Sequence, residues 1–359
     1  MDCGRRGRGL EYRLGLGLGW GHVPHHGRGM SDVGEAGAGG AGDTGYKPAP
    51  KGPFAFFTLD DSGAYEPTPY AKSAWSDGLL NGPSVVAAAA RELEQAHGRE
   101  GFQPSRLTVD LFSQVRFEPL TIRTEAVREG NRIVVADAFV EQGGTTVARA
   151  TLVQLRRGEQ PPGEVWLAGR SMEPPAEAEA VRLAGRSRGW FGSVDSDGAA
   201  RPWSRSMGDH QGADRKRFWL RPLDVVADEE ASPFQRSVTI GESTSLMAHW
   251  GSEGIGFINA DLTVALARLP RTADIGIEAD EHISDSGVAV GTATLFDRDG
   301  TFGTGTVVAV SNAGRQIDFS QRGLISDRRK EGSDSDTGPG SGSGPDSATG
   351  SDSEKGMRV

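Results

Sequence analysis

Six consecutive residues, Val85-Val86-Ala87-Ala88-Ala89-Ala90, constrain this chain more than any other stretch. They lie inside PSVVAAAARELEQAHG. Asn81-Gly82-Pro83-Ser84 suits a helix start, and Gly98 suits its end. Polar residues return only at Arg91, Glu92 and Glu94. A helix apolar on every side is buried on every side. Its alanines let other backbones approach closely, so several elements must wrap around this one rod.

The segments after the helix supply the wrapping. RLTVDLFSQVRFEP, LTIRTEAVREG, NRIVVADAFVEQ and TTVARATLVQLR are rich in β-branched residues and alternate with period two, as strands do. A short strand, PFAFFTL, precedes the helix. The pattern then recurs as KRFWLRP, a helix in SPFQRSVTIGESTSLMAHWG, and four strands: INADLTVALARLP, ADIGIEADEHI, SGVAVGTATLFDRDG and TFGTGTVVAVSN. In INADLTVALARLP, Leu262, Val264 and Leu266 share one face, and Thr263 and Ala265 the other. Residues 141–144 (EQGG) and 297–300 (DRDG) are hairpin turns in matching places. Internal duplication on this scale points to α+β architecture. The predicted fold is a double hotdog, two tandem repeats each with a long helix wrapped by a curved antiparallel sheet. Joined edge to edge, the two sheets would hide strand edges.

Composition sets the boundaries. Only 36% of the chain is hydrophobic and 52 residues are glycine, as expected for an ordinary core diluted by flanks. Residues 1–51 read as a disordered Gly/Arg-rich flank, 52–157 as the first repeat, and 158–214 as a polar linker. Aromatic islands at Trp166, Trp190-Phe191 and Trp203 suggest that this linker packs in places. The second repeat spans 215–320, and 321–359 reads as a disordered Ser/Asp/Gly-rich tail. Residues 1–29 are either disordered or an over-extended reading frame, with Met30 opening an ordinary start. Their glycine run has no strand before it and no helix after it, so it is not a dinucleotide loop. A net charge of -10 argues against a nucleic-acid partner. No apolar run approaches a membrane span. The single cysteine, Cys3, allows no disulfide framework and no cysteine metal site, which favours a reducing, cytoplasmic setting.

Particular motifs add a family likeness. FINADLTVALARLP above all, with FWLRP at 218–222, YEPTPYAKSAW and LLNGPSVVAAAARELE, resembles the TesB-like (thioesterase II type) acyl-CoA thioesterases, of the actinobacterial branch. The resemblance covers both repeats and neither flank. It implies hydrolysis of acyl-CoA to free acid and CoA, with no metal or other cofactor, and a capacity for homo-oligomer formation. In such enzymes an Asp on the second-repeat helix, a Thr or Asn opening the next strand, and a Gln on the last strand hold the attacking water. Here those positions fall on Glu242, on Asn259, and on Val307 or Val308. Glutamate keeps the carboxylate but displaces it by a methylene. Neither valine can hold a water, so a non-catalytic acyl-thioester binder is the alternative reading. Ser243, Ser245 and Thr306 are candidates for the missing water-orienting group.

Each of these residues also has a plainer reading. Glu242 could be a helix-surface glutamate, and Asn259 a strand-end residue bonding its own backbone. Asp261 has a counterpart in Asp110, which suggests a repeated structural role. Gly241-Glu242-Ser243 lacks the second glycine of a nucleophile elbow. His97, His210, His249 and His282 are far apart in sequence and show no metal-binding spacing. No Asp-x-Asn-Pro-x-His motif of a thioester hydratase is present.

Overall fold

The computed structural model describes residues 53–76, 78–176 and 189–320. The flanks expected to be disordered, together with Cys3 and Met30, lie outside the described residues. The first repeat comprises β1 (Ala55–Leu59), β2 (Tyr65–Pro67), α1 (Gly82–His97), β3 (Phe102–Leu111), β4 (Thr121–Glu129), β5 (Ile133–Gln142) and β6 (Thr145–Arg156). There follow β7 (Trp190–Val194), β8 (Arg215–Leu220), β9 (Asp224–Val226), α2 (Pro233–Glu242) and α3 (Thr244–His249). The chain continues through β10 (Trp250–Gly251), β11 (Gly254–Ile255), β12 (Phe257–Asn259), β13 (Asp261–Leu266), β14 (Ile275–Asp285), β15 (Val288–Asp297) and β16 (Gly300–Ser311).

One eleven-stranded antiparallel sheet runs β4-β5-β6-β3-β13-β16-β15-β14-β8-β7, with β12 also paired to β16. The repeats join where β3 meets β13, Asp110 opposite Asp261 and Thr108 opposite Thr263. The interval from the helix cap to this seam is identical in both repeats, Asn81 to Asp110 and Ser232 to Asp261. Both repeats therefore meet the seam in equivalent fashion, as an edge-to-edge joint requires. The expected alternation holds on β13, where Leu262, Val264 and Leu266 are buried. Both expected hairpins form, with Gly143 and Gly144 at φ 59° and 77° and Gly300 at φ 108°, conformations that glycine adopts without a steric penalty.

Helix α1 is enclosed as its sequence requires. Asn81 caps it by accepting the Ser84 N–H at 2.9 Å, and Ala87 to Ala90 are fully buried. Arg91, only 6% exposed, leaves this apolar stretch and grips Glu229 ahead of α2, Nη2 to Oε2 at 2.6 Å and Nε to Oε1 at 3.0 Å. Its Nη1 also donates to the Tyr65 hydroxyl at 2.9 Å. This planar double contact ties the two repeats together by their helices.

Three features depart from the sequence reading. The second helix is not continuous but breaks at Ser243. There the Thr244 hydroxyl donates to the Gly241 carbonyl at 2.6 Å, and two bare glycines allow tight packing. A Cβ on Gly241 would lie 2.5 Å from Val264 Cγ2, and one on Gly305 would lie 2.0 Å from Thr244 Oγ1. The two opening strands are also unequal. β8 joins the main sheet beside β14, whereas β1 pairs with β2 and runs parallel to β9 in a small separate sheet. Finally, the linker supplies a strand, since β7 pairs with β8 and Phe191 stacks on Phe218 at 4.6 Å. Trp190 and Trp203 pack around Met172, Trp219 and Phe296, while Trp166 is 84% exposed.

The enclosed alanines leave no room for growth. Ala89→Leu is expected to lower stability by about 1–3 kcal/mol through overpacking, measurable as a fall in the thermal midpoint.

Candidate active site

The break after α2 decides where Glu242 goes. As the last residue of α2, it is turned toward the first residue of α1, in the other repeat. A Cβ on Gly82 would lie 1.9 Å from Glu242 Oε1, so only glycine leaves space for the carboxyl group here. Although the residue is half-buried as a whole, its carboxyl end is turned inward. Desolvation pushes its pKa up to about 8, and a hydrogen bond with the Asn259 side chain pulls the other way.

Glu242 and Asn259 line one open cleft of about 970 Å³, together with Gly82, Leu80, Val85 and Leu111. The wall is built from both repeats, so neither repeat alone would form it. The structure therefore brings together the two principal residues singled out from the sequence, and Glu242 is not a solvated surface glutamate.

The remaining candidates lie elsewhere. Ser243 and Ser245 are 8% and 9% exposed and do not line the cleft. Thr306 sits mid-sheet between Thr263 and Thr292. Val307 is fully buried in the core, while Val308 is 39% exposed and donates its N–H to Asp261 Oδ1 at 2.6 Å. Asp261 thus has a structural role on the strand. No amide from β16 replaces the expected glutamine. Three amides that the sequence reading missed, Gln114, Asn312 and Gln316, do line the cleft. All three lie outside the regular strands, where no periodicity marks them.

Two histidines far apart in sequence meet in a second cavity of about 510 Å³, at the end of α3. His249 Nδ1 and His282 Nδ1 are 2.9 Å apart, with Phe257 packed on both rings. Burial, with the neighbouring His282, pushes His249 down to about 4. Among the described residues no group of three or more His, Cys, Asp or Glu side chains could hold a metal ion. No described helix is long and apolar enough to cross a membrane.

Residues 71–155 match the model of the acyl-CoA thioesterase N-terminal domain, and residues 164–310 match that of the acyl-CoA thioesterase C-terminal domain. The chain belongs to the acyl-CoA thioesterase family. The TesB-like likeness of FINADLTVALARLP agrees with that membership. Among solved structures, a hotdog-fold protein of unknown function from Alicyclobacillus acidocaldarius is 16% identical, with a TM-score of 0.50, covering 72% of this chain and 96% of its own. At that identity the likeness shows the fold alone, a double hotdog. A TesB protein of Mycobacterium avium subspecies paratuberculosis is 13% identical, with a TM-score of 0.49 over 68% of this chain and 89% of its own. An acyl-CoA thioesterase II of Mycobacterium marinum is 14% identical, with a TM-score of 0.47 over 64% and 88%. No curated protein matches the chain. In this thioesterase-family protein the C-terminal match begins inside the segment read as linker, ahead of β7.

A raised carboxyl pKa has a consequence for stability. Between about 4.5 and about 8 the unfolded chain releases the Glu242 proton while the folded chain retains it, so stability falls across that window and is level above it. Glu242→Gln removes the effect. Its thermal midpoint is expected to match wild type near pH 4.5 and to exceed it by a growing margin up to pH 8, as read from melts across that range.

Proposed function

We propose that this protein hydrolyses acyl-CoA to free acid and CoA, with Glu242 as the base that activates water and Asn259 as its orienting partner. The observation that carries this reading is a desolvated carboxyl group turned into a cleft built from both repeats. A base whose pKa lies near the working pH combines adequate ionisation with strong proton affinity. The carboxylate takes one proton from water as the oxygen attacks the thioester carbonyl. Collapse of the tetrahedral intermediate then breaks the C–S bond, and protonated Glu242 returns its proton to the departing thiolate, giving CoA and regenerating the base. The start of α1, with Gly82 beside Glu242, is suited to receive the developing oxyanion, since backbone N–H groups converge at a helix N-terminus.

The second reading is an acyl-thioester binder without turnover. It is favoured by Val307 in the core and Val308 on the outer face, which leave the site without an amide from β16. Thiol release from acyl-CoAs of several chain lengths separates the two. Hydrolysis that is lost in Glu242→Ala supports the enzyme and this base. Tight acyl-CoA binding with no release at any chain length supports the binder. Hydrolysis unaffected by the substitution would overturn the assignment of Glu242.

The pH profile provides a sharper test. Since the base must be ionised, kcat/KM is expected to rise about tenfold per pH unit below the Glu242 pKa and to level off above it. Asn259→Ala removes the group that lowers that pKa, so the midpoint is expected to move to higher pH. A midpoint unchanged in Asn259→Ala would remove Asn259 from the site.

A further inference from the structure

The start of α1 has fewer free donors than a helix start usually offers. The first four backbone nitrogens of a helix have no intrahelical partner, and here they belong to Asn81, Gly82, Pro83 and Ser84. Asn81 donates its N–H to the Ala71 carbonyl at 2.7 Å. Ser84 donates its own to the Asn81 side chain at 2.9 Å, and Pro83 has none. Of these, only the Gly82 N–H is left without an acceptor among the described residues. An oxyanion at this helix start therefore meets one backbone donor, where acyl-transfer sites commonly present two.

The first repeat carries a side-chain amide to the same part of the cleft. After β3, Leu111 gives its N–H to the Ala260 carbonyl at 2.9 Å, next to Asn259. The Val115 carbonyl receives the Leu80 N–H at 2.9 Å, just ahead of Gly82. Residues 112–114 thus cross from the Asn259 side of the cleft to the Gly82 side. The crossing is fixed at both ends. The Phe112 N–H bonds the Val147 carbonyl at 3.0 Å, and the Arg116 N–H bonds the buried Gln142 side chain at 2.9 Å. Gln114 lines the cleft, and among the described residues nothing takes its side-chain amide. Asn312 and Gln316 lie against Gly256 instead, about 10 Å along the extended chain from Asn259.

We infer that the Gln114 side-chain amide donates a hydrogen bond to the thioester oxygen as it gains negative charge, alongside the Gly82 N–H. The inference rests on the acyl-CoA reading of the cleft and gives that chemistry a residue of the first repeat. By the time the oxygen is charged, the water proton has moved to Glu242, so the carboxyl group beside Gly82 is neutral. The new charge is then met by two donors, and the neutral carboxyl group does not oppose it. An amide does not titrate, so its contribution is the same across the working pH range.

The test uses the full chain carrying Gln114→Met, which keeps the side-chain length without the donor, and separately Gln114→Ala. Thiol release is followed with octanoyl-CoA. An oxyanion donor acts in the transition state, so kcat is expected to fall about 100-fold with KM unchanged. The pH midpoint of kcat/KM is expected to stay at the wild-type value, since Gln114 bonds the substrate and not Glu242. An unchanged kcat would overturn the inference. So would a loss accompanied by a shifted midpoint, which would assign Gln114 to Glu242 instead. A second measurement needs no turnover. The ketone analogue of octanoyl-CoA, with a methylene in place of the sulfur, has no C–S bond to cleave. Its isotope-labelled carbonyl stretch, read by infrared difference spectroscopy, is expected to fall in frequency on binding and to recover part of that shift in Gln114→Met. The same frequency in both proteins would overturn the inference. A shift that depends on Gln114 in a protein that releases no thiol supports the inference and counts against hydrolysis alone.

Discussion

Pairing between β3 and β13 is the interaction on which the rest of the structure depends. It turns two curved sheets into one and removes two strand edges that would otherwise offer unpaired backbone groups to other chains. It also fixes how the helices face each other, because the interval from cap to seam is the same in each repeat. The end of α2 is thereby delivered to the start of α1. Without that joint, Glu242 would have no Gly82 beside it and the cleft would lack one wall.

Near-symmetry makes the differences between the repeats informative. Counted from the caps Asn81 and Ser232, Arg91 and Glu242 occupy the same place on their helices. Arg91 is paired, gripping Glu229 in a planar double contact with Tyr65 alongside. Among the described residues Glu242 has no ion pair, and the Asn259 side chain eases its desolvation. One position spends its charge on holding the repeats together, and the other keeps a strained proton affinity in an open cleft. A carboxyl group raised by burial alone works against stability at neutral pH, and such conflicts concentrate where chemistry needs them. A single chain thus has two equivalent helix positions, one carrying a paired charge and the other a desolvated carboxyl group.

Much of the fold was legible because burial writes itself into periodicity. The run Val85 to Ala90 could only be enclosed, and alternation on β13 could only place Leu262, Val264 and Leu266 inside. Hairpin glycines at 143, 144 and 300 follow from backbone conformations that other residues avoid. β7 was not legible, because five residues around Trp190 carry too little pattern to show that they extend a sheet. The break at Ser243 was hidden as well. It depends on Thr244 reaching back to Gly241 and on close packing at Gly305 and Val264, contacts that no local pattern encodes.

The site divides along the same line. Glu242 and Asn259 were reached through the likeness of FINADLTVALARLP to a family, and Gln114, Asn312 and Gln316 were missed because loop positions have no period to read. His249 and His282, unremarkable in sequence, meet only because α3 ends against β14. The sequence by itself determined the elements, their duplication and the enclosed helix, since these follow from local alternation and from side-chain volume. Tertiary structure alone decided that Glu242 is desolvated rather than solvated, because that depends on which residue of the other repeat lies against it.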